Sequence, residues 1–121
     1  MTEHFDLPYL SHILDAITDI EKSTKSMSKE QFTSNKDAKD ANVRRLEIIG
    51  EAVKKLSPAF REKYKEVQWT KIAGTRDVII HKYFDVDYNI VWNIIKNDLP
   101  PLKEKLQKIA LSTQSQPKDS Q

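Results

Sequence analysis

Ile72–Phe84, IAGTRDVIIHKYF, places Arg76, His81 and Tyr83 in an otherwise apolar, helix-like run. A buried helix normally excludes a guanidinium and an imidazole, because unpaired polar groups are costly away from water. Among Ile72, Val78, Ile79 and Ile80 these side chains need either interior partners or a ligand. In the first case Arg76 pairs with a carboxylate of the bundle, His81 is a satisfied interior histidine, and Tyr83 is core edge. In the second the three form a site for a phosphate-bearing ligand. Arginine grips phosphate oxygens through its planar fork, and histidine moves protons near neutral pH.

The sequence on either side of this run is helical in pattern. Leu10, Ile13, Leu14, Ile17 and Ile20 follow helical spacing, which predicts a first helix capped by Asp6, with Pro8 in its opening turn and an end near Lys25. Ser28 to Gln31 reads as a capping box for a short helix that includes Phe32. Asn35 caps the next helix, which runs to Leu56 with the stripe Leu46, Ile49, Val53 and Leu56; its first turns look too polar to bury much. Gly50 inside it is costly relative to alanine, which implies close approach of another helix. Arg44, Arg45 and Glu47 fit either a solvated face or contacts with the Arg76 region. Ser57-Pro58 ends this helix and starts another. Asp85 and Asp87 are candidate caps for a last helix with Val91, Ile94, Ile95, Leu99, Leu102, Leu106 and Ile109, which Pro100-Pro101 should kink or break.

The whole chain of 121 residues fits one domain, expected over residues 5–111 with a disordered tail over 112–121. Only two glycines stand against 31% charged residues, which argues for an all-α fold, an antiparallel bundle of about four to five helices. A net charge of +2 confines any nucleic-acid contact to a local patch. The absence of cysteine excludes disulfides, thiolate chemistry and Cys-ligated zinc. His4 and His12 read as surface residues with no metal-ligand spacing, so neither metal nor cofactor is expected. The start lacks a basic n-region and a long apolar run, and no stretch is long enough to span a bilayer. A cytoplasmic location is the expectation.

The motif Arg-x4-His-x-Tyr, with Asp77 after the arginine, resembles the signature of the HEPN superfamily in its HepT-like toxin branch. LEIIGEAVKKLS (Leu46–Ser57), WTKIAG (Trp69–Gly74) and VWNIIKNDLP (Val91–Pro100) are similar to the same branch and stand in the same order. The resemblance covers about residues 5 to 110. It implies a HEPN-like bundle forming a two-fold dimer with the site at the interface. It also implies a partner, a minimal nucleotidyltransferase antitoxin that attaches AMP to Tyr83 and silences the toxin, in an assembly that can extend beyond the homodimer.

Helix geometry bears on how the three residues would cooperate. On one straight helix Arg76 and Tyr83 fall about 20° apart around the axis, whereas His81 is roughly 140° from Arg76. A long side chain, a loosened helix end or a second chain must close that gap. The resulting reading is a metal-independent endoribonuclease. His81 is the general acid or base, Arg76 the phosphate-binding and charge-stabilising group, and Asp77 a supporting residue or a plain surface acid. Tyr83 is the modified residue or a substrate contact. The alternative is a non-catalytic HEPN module that binds a nucleotide or a partner protein in the same cleft, and a plain helical interaction domain is a third.

Overall fold

Leu10, Ile13, Ile17 and Ile20 lie almost wholly inside the protein, on the face of α1 (Thr2–Thr24) that packs against the other long helices. The computed structural model describes residues 2–79 and 86–114, with side chains over 5–79 and 86–113. Every regular element among them is helical: α2 (Lys29–Thr33), α3 (Lys36–Lys55), α4 (Pro58–Lys63), α5 (Trp69–Ala73), α6 (Thr75–Ile79), α7 (Tyr88–Asn93), a π-helical turn (Ile94–Asp98) and α8 (Leu99–Gln114). The all-α expectation holds.

α1 begins at Thr2, not after Asp6, so Asp6 does not cap it. The Asp6 carboxylate, 2% exposed, instead accepts the Ser57 N–H at 2.7 Å and the Ser57 hydroxyl at 2.8 Å. Ser57 Oγ in turn accepts the Phe60 N–H, so the start of α4 is fastened to the N-terminal part of α1. At the opposite end Asn42 donates to Ser23. These two ties, 6 to 57 and 23 to 42, set α1 and α3 antiparallel.

The first turns of α3 are more buried than their composition suggests. Asn42 has no exposed surface, and its amide donates to Ser23 Oγ at 3.0 Å and to the Ala38 carbonyl at 2.8 Å. Its Oδ1 accepts from Arg45 Nη1 at 3.1 Å. A buried amide with its bonding capacity used carries little penalty, so this polar turn packs like an apolar one. The caps at Ser28, Asn35, Ser57 and Asp87 all form as the sequence implies.

The last long run crosses α1 near the C-terminal end of α1, with Lys96 donating to the Thr24 carbonyl and Lys103 paired with Glu21 at 2.7 Å. Val91, Ile95, Leu99, Leu106 and Ile109 are its buried face. Pro100 and Pro101 do not break it. A proline ring crowds the carbonyl four residues back, here those of Lys96 and Asn97, and both lie in the widened π turn. That turn relieves the crowding and lets the helix continue. α8 reaches Gln114, past the boundary expected at 111, and residues 115–121 lie outside those described.

Candidate active site

Gly74 divides the apolar run that looked like one helix. Its N–H closes α5 on the Thr70 carbonyl at 3.0 Å, and its own carbonyl accepts from Asp77 and Val78 to open α6. Arg76 therefore stands in the first turn of a separate short helix and is not embedded in a buried one. Only one face of α6 is interior: Ile79 is fully buried, Val78 is 53% exposed and the Arg76 side chain 57% exposed. Asp77 is also exposed. His81, Tyr83 and Asp85 lie outside the described residues, as does the angular relation that a single helix would give Arg76 and His81.

Arg76 has a definite partner. Its Nε donates to Glu47 Oε2 at 3.2 Å across to α3, while Arg44 Nη1 stands 4.0 Å from Glu47 Oε1. Arg44 and Glu47 thus reach the Arg76 region, whereas Arg45 turns away to Asn42. Gly50 makes this contact possible. A Cβ placed there would meet the Ala73 carbonyl oxygen at 3.4 Å and that of Ile72 at 3.5 Å, so the end of α5 lies directly on α3. Glu47 and Gly50 are three apart and share a helix face. One lets the neighbouring backbone come close and the other receives the side chain that follows it.

A cleft of about 440 Å³ runs between α3, α5–α6 and the last helical run. Leu46, Ile49, Ile72, Ile94 and Leu102 give it an apolar lining, and Thr75 and Val78 join that lining from α6, whereas Arg76 and Glu47 are not among the lining residues. Spacing alone did not identify Glu47 as part of the site. The available signal was its position one turn before the lone interior glycine of α3.

The family model for HepT-like ribonucleases matches residues 13–109, which take in α3, α5, α6 and the last helical run. The chain belongs to the HepT-like ribonuclease family. Similar curated proteins include one from Methanocaldococcus jannaschii named "Gamma-glutamylcyclotransferase and putative RNase", 48% identical over 84% of this chain and 46% of that longer protein. The chain thus spans less than half of that relative. A second protein of that organism, named "Putative RNase", is 46% identical over 84% of both chains. One from Thermococcus cleftensis, named "Probable ribonuclease HepT", is 41% identical over 84% of this chain and 92% of its own. No solved structure matches. Membership in the HepT-like family supports ribonuclease function and RNA as the substrate, on an all-α HEPN-like fold. No helix among the described residues is long and apolar enough to cross a membrane.

Proposed function

We propose that this HepT-like chain is the toxin of a toxin–antitoxin pair and cleaves RNA without a metal ion, through Arg76 and His81 in a cleft shared by two copies. The observation that carries the reading is the placement of Arg76, the first residue of Arg-x4-His-x-Tyr. It is exposed on α6 and held at Nε by Glu47, and the residue before it, Thr75, lines the cleft.

RNA brings its own nucleophile in the 2′-hydroxyl. His81 takes that proton as the 2′-oxygen bonds to phosphorus, and the bond to the 5′-oxygen breaks as that oxygen gains a proton. The products are a 2′,3′-cyclic phosphate and a free 5′-hydroxyl. Arg76 binds the non-bridging oxygens, whose charge grows in the transition state, through charge-assisted hydrogen bonds. A two-fold dimer supplies a second imidazole, so that one His81 accepts a proton and the other donates one. Asp77, beside Arg76, is a supporting acid. Tyr83 is the control point. AMP groups transferred to its hydroxyl by a cognate nucleotidyltransferase add bulk and negative charge two residues from His81, where they compete with RNA for Arg76.

The test is incubation of the purified protein with total RNA in EDTA beside a His81→Ala control. Cleavage by the parent alone, with cyclic phosphate ends, is the expected result. Intact RNA with both proteins rejects the nuclease reading, and equal cleavage by both rejects the assignment of His81.

A further inference from the structure

We infer that Glu47 is the positioning residue of the site, orienting Arg76 for the phosphate from α3; in its catalytic consequence the inference rests on the nuclease reading above. Three observations converge on it. Glu47 is the more buried partner, its side chain 25% exposed against 57% for Arg76, so the carboxylate is the fixed end of the pair. Its two oxygens face different cations: Oε2 accepts from Arg76 Nε at 3.2 Å, and Oε1 faces Arg44 Nη1 at 4.0 Å. Gly50, on the same face, seats the end of α5 against α3 and so sets the distance from which Arg76 reaches across.

The choice of nitrogen gives the contact its chemical meaning. A single carboxylate oxygen at Nε fixes the plane of a guanidinium without filling the fork between its two terminal NH₂ groups. That fork is one of the two edges on which arginine binds phosphate. A carboxylate seated across the fork would compete with the substrate; at Nε it steadies the group while leaving that edge to another ligand. Arg76 follows Gly74 and Thr75 at the start of a five-residue helix, so its own element gives little rigidity. The 20-residue α3 does, and Glu47 transmits it. Arg44 adds a second positive charge, 4.0 Å from the carboxylate oxygen that Arg76 does not use.

Three substitutions at one position separate placement from charge. Glu47→Gln keeps an oxygen acceptor at the same reach and loses the charge. Glu47→Asp keeps the charge and withdraws it by one carbon, and Glu47→Ala removes both. Misplacement of about 1 Å at a catalytic group can cost on the order of 10²-fold in rate. The expected order of kcat on RNA is therefore parent, then Gln, then Asp and Ala together, the last two down by roughly 10- to 100-fold with KM changed far less. A second readout does not depend on turnover: the Arg76 Nε–H signal in ¹⁵N-labelled protein, assigned by its loss in Arg76→Ala. It should exchange slowly with water in the parent and in Glu47→Gln, and rapidly in Glu47→Asp and Glu47→Ala. Asp active and Gln inactive would overturn the inference in favour of a pure charge effect. Unchanged kcat in all three folded variants would leave Glu47 a surface ion-pair partner and nothing more. If the parent does not cleave RNA, the nuclease reading falls, and the exchange measurement alone decides whether Glu47 orients Arg76.

Discussion

Arg76 keeps more than half of its side-chain surface in water, and that fixes how a substitution there should read. An exposed ion pair contributes about 0–1 kcal/mol to stability. Arg76→Ala should therefore leave the urea midpoint within that margin while abolishing RNA cleavage and any growth arrest, as measured by denaturation and by gel assay on the same preparation. Asp6 is the contrast. Its buried carboxylate accepts two hydrogen bonds from Ser57, and hydrogen bonds to charged groups contribute about 1.5–3 kcal/mol each. Asp6→Ala should cost at least about 2 kcal/mol in chemical denaturation and leave kcat near the parent value. Tyr83→Phe keeps the ring and removes the hydroxyl proposed to accept AMP. It should cleave RNA yet stay toxic beside the cognate nucleotidyltransferase, and mass spectrometry of the parent should place the added AMP on the Tyr83 peptide and not on those of Tyr9, Tyr64 or Tyr88. Arg76 stood out in the sequence as a cation in an apolar run, yet it stands in water on a short separate helix, because Gly74 divides that run. Asp6 was misread, because a helix-start pattern cannot reveal that the same carboxylate is needed 51 residues later.

Among the elements, the α3–α5 contact shows how far periodicity carries. The cost of glycine inside a helix pointed to a close approach at Gly50, and the approach is there, with an added Cβ 3.4 Å from the nearest carbonyl oxygen. That distance is ordinary contact, which decides the sign of the mutation. Gly50→Ala should fit and stabilise by up to about 1 kcal/mol through helix propensity. Gly50→Leu must push α5 outward, at a cost of about 1–3 kcal/mol for overpacking, and should depress cleavage further than its stability loss explains; thermal melts and kcat on one sample check both. Two other elements departed from their patterns for physical reasons. The polar start of α3 is buried because Asn42 finds partners on α1, which a one-helix view cannot show. The paired prolines continue a helix because the preceding turn widens, an accommodation that no local propensity encodes.

For the whole molecule, the three long helical runs and the caps of the second and third could be read from the chain alone. The division of the motif segment at Gly74 could not, since apolar spacing continues across it. The assembly is a prediction of its own. If two chains share one cleft, light scattering at micromolar concentration should give twice the chain mass, and mixing inactive Arg76→Ala with inactive His81→Ala chains should recover part of the activity. A strictly monomeric mass would remove the shared cleft. One backbone bond couples the helix of Arg76 to the last helical run. The Asp87 N–H donates to the Ile79 carbonyl at 2.8 Å, joining the fully buried end of α6 to the residue that caps α7. The carbonyl at the end of α6 and the cap of α7 are thus held at one point, so a displacement of α7 is passed to the short helix that carries Arg76.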